Sequence, residues 1–170
     1  MENNIELISR DERKALIIRA TVGVLKLPRV IGPAYMKIDA FLRAHGIEPK
    51  EAPFTCFQID DWDKAVHMSG LKSLLATFTK KLNVEMGFEV TANVRGDESI
   101  EQIILPAGHY YRAFHFGHYN KITALYREIY DRARQENYTL DNRCYEYYLN
   151  SPKEVPMDKL ETHVLVRAIK

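Results

Sequence analysis

Along the chain the spacing of apolar positions switches from a period of two to a helical period and back, twice over. Lys14 to Val24, KALIIRATVGV, is rich in apolar and β-branched side chains and predicts a buried strand, with Ile5 to Ile8 as a short companion strand. From Gly32-Pro33 onward Tyr35, Ile38, Phe41 and Leu42 recur at helical spacing, and Gly46 supplies a stop, so an amphipathic helix is expected up to His45-Gly46. Phe54 to Ile59, FTCFQI, predicts the next strand, and the acidic corner Asp60-Asp61-Trp62-Asp63 follows it. Leu71, Leu74, Leu75, Phe78 and Leu82 form a helical stripe after the cap-like Ser69-Gly70, which predicts a short inserted helix packed on the sheet edge. Val84 to Val90 returns to strand.

Polar Thr91 to Ser99, TANVRGDES, then separates two apolar blocks and is the expected boundary between halves. The second half opens with Ile100 to Leu105, turns at Pro106-Ala107-Gly108, and continues in a strand over His109 to Phe116. His118 to Asn137 carries Ile122, Leu125, Tyr126 and Ile129 on one face and charged residues elsewhere, which predicts a long amphipathic helix capped by Asn137. Cys144 to Leu149 and Thr162 to Ile169 complete the pattern as strands joined through the turn Asn150-Ser151-Pro152.

The halves share one grammar in one order. IIRAT answers YYRAF, GPAY answers GHYN, AHGIEP answers QENYTL, and FTCFQIDD answers CYEYYLNS. Duplication of a strand-helix-strand-strand unit is the economical reading. It predicts an α+β fold of duplicated β-α-β-β units with pseudo-twofold symmetry and antiparallel sheets, and a ligand cleft at the seam, where pockets favour forming. The expected layout is one domain over residues 1–170, with repeat one at about 5–92 and repeat two at about 98–170.

Composition narrows the function classes. At 170 residues, 46% apolar and 28% charged, the chain is an ordinary globular one that needs no disulfide or metal staple. A net charge of +1 supplies no long-range field for nucleic acid or anionic membrane, so direct nucleic-acid binding is not expected. Cys56 and Cys144 lie far apart and outside any CxxC pair, and read as core-strand residues rather than ligands. No leader pattern or apolar run long enough for a membrane span is present, so a cytoplasmic protein with no membrane partner is expected. Nothing matches a P-loop or dinucleotide fingerprint, and no cofactor is expected.

Glu146 is the anomaly. It sits inside CYEYYL, flanked by aromatic residues in a strand expected to be mostly buried, where a carboxylate is costly unless paired. Period-two alternation places Tyr148 on its face and Tyr145 and Tyr147 on the other; the same alternation leaves open that Glu146 simply turns to solvent. Of ten tyrosines only Tyr35 lies outside residues 110–148, and aromatic faces suit cations and planar ligands. Tyr119, Tyr126 and Tyr130 read as packing residues of the helix. His109, His115 and His118 cluster in sequence, but His109 and His115 fall too far apart on one strand to share a metal, so surface or helix-start roles are expected.

The run from Ile104 to Ile169 resembles the GyrI-like, or effector-binding, domain family, through PAG before a strand, GHY where that family usually has GPY, the E-x-Y-L-N-S-P corner and the closing strand. VEMGFEV and the GP-led helix extend the resemblance loosely into the first half. It implies a cleft that takes bulky apolar, often cationic, small molecules, with Glu146 at the position of the glutamate that meets ligand cations. Tyr148 is then the second pocket residue, and Tyr111, Tyr35, Trp62, Phe54 and Cys56 are further wall candidates. The implied function is a non-enzymatic effector-binding protein, a stand-alone sensor or sequestering protein, with a separate regulatory protein needed for any role in transcription. Some family members are described as hydrolases that open cyclopropane-containing toxins, which would make Glu146 a general base instead; inhibition of a topoisomerase rests on analogy alone.

Overall fold

The computed structural model describes residues 5–67 and 80–170. The stripe Leu71, Leu74, Leu75 and Phe78, with its Ser69-Gly70 cap, lies outside the described residues; Leu82 belongs to a strand. The described chain is α+β, with strands β1 (Glu6–Arg10), β2 (Arg13–Gly23), β3 (Phe54–Gln58), β4 (Lys81–Val90), β5 (Glu101–Leu105), β6 (Gly108–Phe116), β7 (Thr139–Tyr148) and β8 (Glu161–Ile169). Its helices are α1 (Leu27–Ala44), α2 (Trp62–His67) and α3 (Ile122–Gln135). It divides into two compact units, one of residues 11–57 and 69–107, the other of residues 1–10, 58–68 and 108–170.

In the 11–107 unit the strands run β3-β4-β2-β5, every pairing antiparallel. Because side chains alternate across a pleated strand, the register sorts them cleanly. Leu16, Phe88 and Val90 face α1, whose Ile38 and Leu42 pack on them. Val22, Val84 and Met86 pack on Ala34. Burying a leucine or isoleucine contributes about 1.5–3 kcal/mol each, enough to fix which face of α1 turns inward. Helix α1 begins five residues before the expected Gly32-Pro33. Pro28 occupies its first turn, where a missing N–H costs nothing, and Pro33 sits inside the helix on the exposed side, where water can satisfy the carbonyl it leaves unbonded. Gly46, at φ 64°, ends it as expected: Gly46 N–H donates to the Arg43 carbonyl and Ile47 N–H to that of Leu42.

In the other unit the order is β1-β6-β8-β7, again antiparallel. Tyr111, Ala113, Val164, Val166 and Cys144 form one face, and Ile122, Leu125, Ile129 and Ala133 of α3 pack on it at helical spacing. Asn137 adopts φ 60° and closes α3, with Tyr138 N–H donating to the Ala133 carbonyl at 2.8 Å, so the cap expected there is present. The segment before α3 is not yet α-helical. His118 precedes a 3-10 turn over Tyr119–Lys121 and its ring nitrogen accepts from the Asn120 N–H. Strand β1 pairs with β6, from Glu6↔Arg112 to Arg10↔Gly108, and β5 pairs with β2. Each unit therefore takes one edge strand from the other half of the sequence.

Candidate ligand-binding site

The register of β7 on β8 sets Cys144, Glu146 and Tyr148 on the α3 face, paired with Val166, Val164 and Thr162. Glu146 does not turn to solvent; only 5% of its surface is exposed. Its two carboxylate oxygens are shared between two tyrosines. The Tyr148 hydroxyl donates to Oε2 at 2.9 Å, and the Tyr126 hydroxyl, one turn into α3, donates to Oε1. Among the described residues no lysine, arginine or histidine pairs with it. Burial pushes the Glu146 carboxyl above the usual carboxylate range, and the two hydroxyls, which stabilise the charged form, offset only part of that.

The neighbours of this carboxylate are aromatic. Trp62 stands edge-on to Tyr126 with ring centroids 6.1 Å apart, and its indole N–H donates to the Asp141 carbonyl at 2.8 Å. Tyr119 stands edge-on to Tyr148 at 5.5 Å. Burial, and then the negative charge of Glu146, raise the Tyr119 hydroxyl above its ordinary value; burial together with Cys144 and Glu146 raises that of Tyr126 well above it.

Helix α2 places Trp62. The sequence marks its residues as an acidic corner, and that corner is the helix start: Asp61 accepts from the Lys64 N–H at 3.0 Å as an N-cap. At the other end Arg127 of α3 donates to the Val66 carbonyl from Nε at 3.0 Å and from Nη2 at 2.6 Å. Tyr130 of α3 also bonds Asp63. Six residues are too few for hydropathy to reveal a helix, and these polar ties do what a longer apolar stripe would do elsewhere.

The structure thus brings together Glu146, Tyr148 and Trp62 of the expected residues, and adds Tyr126 and Tyr119. Tyr111 shares the same core, but its hydroxyl donates to Glu136 at 2.7 Å near the far end of α3. Tyr35 lies in the 11–107 unit, where its hydroxyl is 2.7 Å from Thr55 Oγ1 and its ring meets Phe88 edge-on. Phe54 and Cys56 pair with Gly87 and Glu85, on the face of that sheet turned away from α1 and from Tyr35. His115 is buried rather than on the surface, held 3.0 Å from the His118 carbonyl. His118 has the expected helix-start role, and His109 contacts Ser9. No group of three metal-ligating side chains occurs among the described residues. An open depression of about 580 Å³ runs along Asn93–Asp97 and Ile100–Gln102 in the 11–107 unit, but its two carboxylates are already taken, Asp97 by the Ser99 and Ile100 amides and Glu101 by the Arg19 guanidinium. No described helix is long and apolar enough to cross a membrane.

The arrangement is a buried carboxylate whose oxygens are held by two tyrosine hydroxyls beside aromatic rings. Residues 73–168 match the GyrI-like small molecule binding domain, and the chain belongs to that family. No curated protein sequence matches it. Among solved structures it is similar to EcmrR. The isolated C-terminal domain of EcmrR superposes with a TM-score of 0.73 at 16% identity, covering 100% of this chain and 99% of that one. In the EcmrR–DNA complex the TM-score is 0.75 at 16% identity, and this chain, 99% covered, spans 58% of the EcmrR chain. A structure of SAV2435 bound to tetraphenylphosphonium gives 0.63 at 13% identity, covering 99% and 94% of the two chains. A hydrolase encoded by lin2189 from Listeria innocua gives 0.66 at 10% identity, covering 96% and 91%. At these identities the likeness is one of fold.

Proposed function

We propose that this domain captures bulky apolar cations, with Glu146 as countercharge and Tyr148, Tyr126, Tyr119 and Trp62 as aromatic surroundings, and that it acts as a sensor or sequestering protein. The observation that carries the reading is the buried, cation-free environment of Glu146: two hydroxyls, aromatic rings, and no basic partner among the described residues. A carboxylate in that state lacks the positive charge that would offset its desolvation, and a lipophilic cation supplies it. The tetraphenylphosphonium complex of SAV2435 shows that a protein of this fold accommodates such a molecule. Trp62, the only tryptophan of the chain, lies against Tyr126 and provides the signal. Titration of tetraphenylphosphonium against Trp62 fluorescence is expected to show saturable binding that weakens about 30–100-fold in Glu146→Gln, the order expected when one member of a buried charge pair is neutralised. Equal affinity in the two proteins would sink the proposal.

A second reading is favoured by the same raised carboxyl. With the tyrosine hydroxyls holding its oxygens, Glu146 would accept a proton from water, in the manner of a general base, as the water oxygen bonds to one carbon of a strained ring; the adjacent ring C–C bond breaks, its electron pair goes to the other carbon, and the proton held by Glu146 is returned there. Hydrolysis of a cyclopropyl substrate that disappears in Glu146→Gln, without loss of tetraphenylphosphonium binding by Tyr148→Phe, would favour this reading; no turnover by the wild-type protein removes it.

A further inference from the structure

We propose that the Thr162 hydroxyl is a second polar contact of the Glu146 site and sets its preference among cations, favouring those that carry an N–H group over those that carry none. The inference rests on the ligand-binding reading above. Thr162 pairs across β8 with Tyr148 on one side and His115 on the other, so these three side chains form a row on the α3 face. It lies diagonally from Glu146, whose partner on β8 is Val164, and diagonal neighbours on one face of an antiparallel pair are about 7–8 Å apart at Cα.

Thr162 is fully buried, and its Oγ1 has no hydrogen-bond partner among the described residues. A hydroxyl left so is destabilising, and a valine would fill the same space without the penalty. The polar atoms on either side of it are engaged: the Tyr148 hydroxyl donates to Glu146, and His115 Nε2 lies 3.0 Å from the His118 carbonyl. Tyr119, in the turn that follows His118, covers Tyr148 edge-on. Thr162 Oγ1, buried and without a partner among the described residues, therefore lies in the row diagonally next to the carboxylate and under the same aromatic cover. A cation with its charge at Glu146 and an N–H on its flank would donate to both oxygens. Tetraphenylphosphonium, with no hydrogen-bonding group, uses the carboxylate alone.

The test compares wild type, Thr162→Val, Thr162→Ser and Glu146→Gln, full-length, against tetraphenylphosphonium and against rhodamine 6G, a lipophilic cation with N–H groups. Thr162→Val is expected to bind tetraphenylphosphonium within about twofold of wild type and rhodamine 6G about fivefold or more weakly, the order for one lost hydrogen bond, and Thr162→Ser to restore rhodamine binding. Its melting temperature is expected to equal or exceed that of wild type. Equal effects on both probes, no effect on either, no rhodamine binding by the wild type, or a clear fall in melting temperature would each overturn the inference, the last by showing the hydroxyl bonded within the protein. Glu146→Gln separates the two levels. If it leaves tetraphenylphosphonium affinity unchanged, the ligand-binding reading has failed; if it weakens both probes while Thr162→Val does not discriminate, only the role of Thr162 has failed.

Discussion

Glu146 should cost the unliganded protein stability at neutral pH, and replacing it should make the fold more stable while making it a poorer binder. In the folded state burial raises its carboxyl above the value of an exposed glutamate, and the hydroxyls of Tyr126 and Tyr148 recover only part of the difference. The native state therefore holds the Glu146 proton more tightly than the unfolded chain does. The stability associated with that proton is fully present below the unfolded value of 4.5 and is lost as pH rises through the raised folded value. Two charge-assisted hydrogen bonds at about 1.5–3 kcal/mol each oppose a desolvation cost of several kcal/mol, and the upward shift fixes which side wins. Glu146→Gln keeps the shape and a hydrogen-bonding group and removes the charge. A gain of about 1–2 kcal/mol is expected near pH 7.5, within the range of single stabilising substitutions. For a chain of this length that is a rise of about 2–8 °C in melting temperature. Differential scanning calorimetry at about pH 4.5, 6 and 7.5 should show the variant's advantage largest at the highest pH and shrinking toward the lowest. A variant that melts below wild type at pH 7.5 would refute the reasoning, because it would mean the charge is already compensated within the protein.

Tyr126→Phe removes a hydrogen bond that favours the charged carboxylate, so the Glu146 carboxyl should rise further; since a cation requires the carboxylate, the pH midpoint of tetraphenylphosphonium binding should move upward, and an unmoved midpoint would remove Tyr126 from the site. Gly87→Ala should unsettle the other unit, because a Cβ there would come within 2.5 Å of the Leu16 carbonyl oxygen and 2.7 Å of Ile17 Cγ2. Overpacking against backbone of this kind costs about 1–3 kcal/mol, read as a lower melting temperature.

Much of the fold was legible because it follows from local chemistry. The alternation of Thr162 to Ile169 dictates a strand with one face in the core, and Gly46 and Asn137 stand where the chain needs a left-handed residue to end a helix. The misread boundary of α1 has a local cause too: two prolines compete for the helix start, and only packing decides that Pro33 sits harmlessly on the exposed side. Strand β7 begins at Thr139, earlier than hydropathy suggests, because polar Asp141 to Arg143 fall at an irregularity in the register between Leu140 and Cys144. Pairing partners were not legible, since nothing in Glu6–Arg10 announces β6. At the site, Glu146 and Tyr148 could be placed on one face by counting in twos. Tyr126 could not be recognised, because a ring that packs on a core and a hydroxyl that reaches a carboxylate are the same letter in a helical stripe.

The exchange of edge strands has a consequence for how this polypeptide can be divided. A break in the polar stretch around Asp97 would leave an amino-terminal fragment holding β1 without β6, and a carboxy-terminal fragment holding β5 without β2. The first fragment would present the open flank of β2 and the second that of β6, each an unpaired row of amides and carbonyls ready to join another chain. Neither piece holds both members of its own outer strand pair. The unit of construction suggested by the linear order of the sequence is not the unit that closes its own hydrogen bonds, and the two fragments would fold only by complementing one another.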